Sequence, residues 1–280
     1  MPPPLSVDLT ISGVTVELSE VVPSQYEEIC QVLKDHIRPP GPARNGIAFA
    51  FLHAVRLCPG ANPSDLWHHV IYRTFTGLRG GPDPAQSWKR AGGEALEIAL
   101  VEYYLPLLSK HDIRFEVLIG TKAKQRAMAE MGLEADVGAG KLDTVLRGLG
   151  PGQTTFGSGH VKASLAERVS DDIPASRELM KRGFFSPLLT MDVKSFPAPY
   201  GDYLNRGELG SPDEPSEKRK YIENHGAFDN CYSFNSRTVP SSDRTPSGKR
   251  IYTLTMGDRP DQFVEDVLSA WRAHSARLTQ

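Results

Sequence analysis

Asp143 and Lys162 are of the residue types that chemistry on phosphate needs. A carboxylate can hold a hard, oxygen-preferring cation. A lysine is a compact point charge that can position a nucleophile and offset charge developing on a phosphate oxygen. The two lie on successive expected strands, 141–146 and 161–165, joined by a connection over 148–159 rich in Gly, Pro and Thr. Paired as a hairpin, those strands would bring both side chains to one end of a sheet. Glu97 is the third candidate. It borders the apolar stripe of an expected helix, shares a face with Glu94, and can turn inward or remain an ordinary surface glutamate. Two carboxylates and a lysine form the kit for metal-assisted phosphodiester hydrolysis, with Mg²⁺ the usual ion.

A dense polar run follows Lys162: Glu167, Arg168, Asp171, Asp172 and Arg177. Arg can bond guanine O6 and N7 bidentately, and Glu or Asp can accept from cytosine N4, so such a run suits the reading of base edges. It equally suits a solvated strand end laced with surface salt bridges. Asp192-Val193-Lys194 offers a rival acid-x-Lys pair on a strand, and the residues alone do not choose between Lys162 and Lys194.

Other motifs fail. The Gly-rich stretch before Lys141 has Ala135 where a phosphate loop has its first glycine, and Leu142 where it needs Ser or Thr. His68 and His69 are neighbours, so on a helix they point about 100° apart and cannot chelate as an i, i+4 pair. Cys58, Trp67 and Trp88 read as core.

The elements that must position these groups follow from periodicity. Residues 5–11 and 14–18 alternate as two short strands, and Ser24 can cap a helix over 25–37. A second helix, 47–57, is apolar nearly all round. Asn62-Pro63-Ser64-Asp65 opens a helix over 66–76, and the Glu97 helix runs over 94–108 with Leu96, Ala99, Leu100, Tyr103 and Leu107 as its buried stripe. Strands are expected at 113–119, 188–196 and 250–255, and helices at 122–131 and 262–278. This is a single α/β domain over 1–280, with a central mixed sheet flanked by helices.

The totals exclude some classes. With 32 basic and 34 acidic side chains there is no global pull toward a polyanion, so any nucleic-acid site is a local cleft. Three widely spaced cysteines without a Cys-x-x-Cys pair argue for reduced thiols and against a zinc site. The start lacks a signal peptide's pattern and no apolar run approaches a membrane span, so a cytoplasmic location is expected.

Longer runs carry a resemblance over most of the chain, from about Asn45 to Arg250. They include 58–73 (Cys-Pro-Gly-Ala-Asn-Pro-Ser-Asp-Leu-Trp-His-His-Val-Ile-Tyr-Arg), 93–102, 164–177, 192–197 and 205–210. In these the chain resembles the Type II restriction endonucleases that cut CCGG-containing targets. The resemblance implies a PD-(D/E)xK restriction-endonuclease-like fold and Mg²⁺-dependent cutting of both strands of double-stranded DNA. The implied target is the palindrome ACCGGT, cut after its first base to leave 5′ overhangs. By the same resemblance Asp143 and Glu97 are metal-side carboxylates, Lys162 rather than Lys194 is the catalytic lysine, and Glu167, Arg168, Asp171 and Asp172 lie among the DNA contacts. A palindrome implies a second copy of the chain on the same site, with pairing on DNA, and a cognate methyltransferase as functional partner. His160 stands where the general nuclease pattern has an acid, so the second carboxylate is expected from Glu97. The turn between Asp143 and Lys162 is short for the family, which bears on the outer base pairs rather than the inner CCGG. Two other classes share these residues: a DNA-binding protein that has lost catalysis, which would bind CCGG duplex without nicking it, and a repair nuclease, which would cut by DNA structure rather than at one sequence.

Overall fold

The computed structural model describes residues 6–11, 14–38, 42–78, 83–134, 136–150, 153–165, 169–194, 204–257 and 260–278. Strands β1 (Ser6–Ile11) and β2 (Val14–Ser19) form an antiparallel hairpin. Helix α1 (Pro23–His36) follows; its N-cap is Val22 rather than Ser24, and the Gln25 side chain accepts from the Val22 N–H at 3.0 Å. Helix α2 (Ala43–Leu57) buries most of its circumference, leaving Asn45, Phe49 and Arg56 exposed along one side, and packs on α1. Asn62 caps the short α3 (Pro63–Asp65) by accepting from the Ser64 N–H. A wider π-helical turn, Leu66–Tyr72, then leads into α4 (Arg73–Leu78).

Helix α5 (Pro84–Leu108) starts ten residues earlier than the apolar stripe alone suggests, because Asp83 caps it and Pro84 suits its first turn. Its deepest aromatic is Tyr104, with Tyr103 only half-buried. It lies against α2, β3 (Ile113–Val117) and β6 (His160–Lys162). Between these strands come α6 (Gly120–Met131), β4 (Thr144–Gly148) and β5 (Thr154–Gly157). The chain then continues through α7 (Val169–Lys181), β7 (Leu188–Thr190), α8 (Glu217–Glu223), β8 (Cys231–Ser233), β9 (Ile251–Thr253) and α9 (Gln262–Leu278).

Strands β3-β4-β5 are antiparallel and β6-β7-β8-β9 are parallel. A parallel bridge between Gly157 and Phe185, with Ser158 N–H to Phe185 O and His160 N–H to Pro187 O, stitches the two sets into one mixed arrangement. A Cβ at Gly157 would meet the Phe185 carbonyl at 2.6 Å, so this junction requires glycine. The expected hairpin between the Asp143 and Lys162 strands is therefore corrected: the partner of β4 is β5, which forms inside the connection read as a turn. The strands expected at 113–119, 188–196 and 250–255 are shorter than read, and Asp143 precedes β4 rather than lying within it. The largest core gathers α1, α2, α5 and α9 side chains over the sheet, including Phe51, Trp67, Tyr104, Phe115 and Phe263.

Candidate active site

Asp143 and Lys162 meet although their strands do not form a hairpin. The Thr144 N–H donates to the Gly159 carbonyl at 3.3 Å, so the start of β4 lies beside the start of β6. Asp143 is buried, and its Oδ2 accepts from the Val161 N–H at 3.0 Å and from Lys162 Nζ at 2.7 Å. A carboxylate that accepts a backbone N–H from the lysine's own strand is held in register with that lysine. This gives the pair its geometry.

Lys162 has a second carboxylate. Asp172 Oδ2 is 2.8 Å from Lys162 Nζ, and the Asp172 residue is 5% exposed. Asp172 stands in the first turn of α7, where its carboxylate also suits the helix dipole. Its neighbour Asp171 is rotated by about 100° on the helix and faces outward, with Lys141 Nζ at 3.8 Å. Asp172, which the resemblance places among the DNA contacts, has its carboxylate enclosed and paired with Lys162. Glu167 and Arg168 lie outside the described residues.

His160 is buried beneath this pair. Its Nδ1 lies 3.6 Å from Asp172 Oδ2, its Nε2 is 3.2 Å from Ser186 Oγ, and its ring packs edge-on to Phe228. The residue in the acid's usual place thus braces a carboxylate supplied by the next helix. Burial pushes the Asp172 carboxyl up, but His160 and Lys162 outweigh it and hold the group below its ordinary value. Burial likewise opposes the charged form of Lys162, yet Asp143 and Asp172 together raise its pKa, so it is an ammonium ion.

Glu97, on α5, lies near enough to Asp143, Lys124 and Lys162 for their charges to act on it. Burial, and then the negative charge of Asp143, push its carboxyl up to about 8, against the pull of Lys124 and Lys162. A carboxyl kept protonated by burial and by a neighbouring carboxylate is a site that a cation can ionise. Lys124, on α6, was not singled out from the sequence; its Nζ is 4.0 Å from Asp143 Oδ1. Among the described residues no three acidic, His or Cys side chains already form a closed metal cage. The donor set still fits a hard divalent ion, because such ions are held by one or two carboxylates and completed by substrate phosphate and water. Asp143 Oδ1, Glu97 and Asp172 supply oxygen only.

The rival pair is elsewhere. Asp192 and Lys194 follow β7 rather than lying on it, both with positive φ. Asp192 is fully buried and accepts from the Glu208 N–H at 2.6 Å and from Thr238 Oγ1 at 2.6 Å, while the Lys194 N–H donates to Asn205 Oδ1 at 2.8 Å. This is a loop-holding knot. Local sequence could not have revealed Asp172 and Lys124 as members of the site, since each comes from a helix whose docking depends on the sheet order.

No protein-family model matches the chain. It is 47% identical over 258 residues to the Type II restriction enzyme AgeI of Thalassovita gelatinovora, a match covering 89% of this chain and 92% of that one. The crystal structure of the specific AgeI–DNA complex superimposes with a TM-score of 0.88 at 45% identity, covering 95% of this chain and 99% of the other. Identity of this extent, on a superimposable fold, leaves one assignment. The chain belongs to the family of the Type II restriction enzyme AgeI and is a Type II site-specific deoxyribonuclease.

Proposed function

We propose that the protein cuts both strands of duplex DNA at A/CCGGT, leaving 5′ overhangs, with Mg²⁺ as cofactor and two copies acting on one palindromic site. The observation that carries the catalytic part is the Lys162 ammonium held between Asp143 and Asp172, at 2.7 and 2.8 Å, with Glu97 within electrostatic reach of Asp143 and Lys162. Asp143 and Glu97 would hold the cation, with Asp172 beside them. A Mg²⁺ held there would polarise the scissile phosphate and lower the pKa of a water. Lys162 would orient the attacking water and offset the charge gained by the phosphate oxygens. Asp143 and Asp172 keep Lys162 charged and fixed in place, and His160 keeps Asp172 ionised.

Glu167, Arg168, Asp171 and Asp172 remain the proposed DNA-contacting residues, since they follow the catalytic strand directly, with Asp172 also paired to Lys162. One plasmid digest with Mg²⁺, followed by sequencing of the ends, tests activity, target and cut position together. Cutting at ACCGGT after the first base is expected. Fragments that map to no common sequence would defeat the reading.

A further inference from the structure

Lys124 is a charged group at the centre that the catalytic reading leaves unused. Asp143 Oδ2 is already occupied by the Val161 N–H and by Lys162 Nζ. The oxygen left for a metal ion is Oδ1, the one that Lys124 Nζ faces at 4.0 Å. That separation is beyond a hydrogen bond and well within electrostatic attraction. The Lys124 side chain is 19% exposed, so its stem is packed and its ammonium is confined to the neighbourhood of the site. A divalent cation entering at Oδ1 would repel this ammonium, which must then find another anion within reach.

We propose that Lys124 binds a non-bridging oxygen of the DNA backbone at the scissile phosphate when metal and DNA are bound, and that Asp143 Oδ1 is its resting partner. Charge balance supports the exchange. Glu97, Asp143 and Asp172, once all ionised, carry one more charge than Lys162 and Lys124 together. One divalent ion turns that deficit into a single positive charge, which one phosphodiester neutralises. Lys124 therefore competes with the metal before DNA arrives and assists the phosphate afterwards. The proposal rests on reading the site as a metal-dependent DNA-cleaving centre.

The test compares wild type with Lys124→Gln and Lys124→Arg. Affinity for an ACCGGT duplex is measured against salt concentration with Ca²⁺ in place of Mg²⁺. Mn²⁺ binding to the DNA-free protein is followed by the electron paramagnetic resonance of the free ion. For Lys124→Gln, the salt slope is expected to be shallower by about 1. Its Mn²⁺ affinity is expected to be tighter by about 3- to 10-fold. Single-turnover cleavage at saturating DNA is expected to fall on the order of 10²-fold. Lys124→Arg should restore the slope. A residue with only a structural role would not tighten Mn²⁺ binding while weakening phosphate contact. An unchanged slope and unchanged Mn²⁺ affinity in Lys124→Gln would overturn the proposal; should that variant not fold, Lys124→Met gives the same comparison. Failure of the wild-type protein itself to bind or cut the duplex would instead remove the catalytic reading on which the proposal rests.

Discussion

At the scale of the residue, the central feature is one ammonium shared by two carboxylates. Lys162→Ala removes the group that meets both Asp143 and Asp172. Single-turnover cleavage is expected to fall by at least about 10²-fold, with binding to a cognate duplex in Ca²⁺ retained. Normal cutting by this variant would refute its catalytic role. Asp172→Asn separates two accounts of Asp172. As a member of the catalytic cluster, its loss should lower the single-turnover rate at saturating DNA and leave target discrimination intact. As a base contact, its loss should instead collapse discrimination between ACCGGT and a one-base mismatch. The enclosed position of its carboxylate favours the first outcome. Unfolding in urea should also show the variant about 1–3 kcal/mol less stable, because the partly buried Lys162 keeps only Asp143.

At the scale of the element, the loop after β7 shows what a buried carboxylate does when it is not catalytic. Asp192 ties the end of that strand to Glu208 and Thr238. Glu208 in turn accepts from Ser164 Oγ and from the Leu165 N–H, just beyond the strand that carries Lys162. Gly207 sits at φ +96° with space for no side chain, since a Cβ there would be 2.4 Å from Asp192 Oδ2. Gly207→Ala is expected to destabilise the protein by about 1–3 kcal/mol, read as a lower urea midpoint. Burial raises the Asp192 carboxyl from 3.8 to about 6. Its folded value lies above its unfolded one, so its contribution to stability is complete below about 4 and is lost as pH rises through about 6. Asp192→Asn should abolish this part of the pH dependence, and the gap in unfolding free energy between variant and wild type should then change between about pH 4 and 6. A gap constant across that window would refute the assignment.

At the scale of the whole molecule, one mixed sheet carries the site at the junction of its antiparallel and parallel halves. Helix α5 crosses both parts, touching β3 and β6, and so delivers Glu97 to the strand of Lys162. A palindromic target requires two such sites related by a two-fold axis, one for each strand. Sedimentation with an ACCGGT duplex is therefore expected to show two chains per duplex, and one chain per duplex at saturation would contradict paired cutting. Among the described residues no helix is long and apolar enough to cross a membrane.

Local pattern was sufficient to place most helices and the catalytic candidates, because periodicity and capping residues act within one element. The long runs that resemble CCGG-cutting nucleases reached further, to the family itself, since their extent exceeds what a three-residue signature can specify. Sheet order was beyond that reach. Only the tertiary structure paired β4 with β5 rather than with β6, moved Asp192 and Lys194 into a separate knot, and turned Asp172 inward while leaving Asp171 outside. The physical reason is that a strand's neighbours and a helix's docking angle are decided by long-range hydrogen bonds and packing. One residue's rotation on α7 then determines whether an aspartate meets solvent or Lys162.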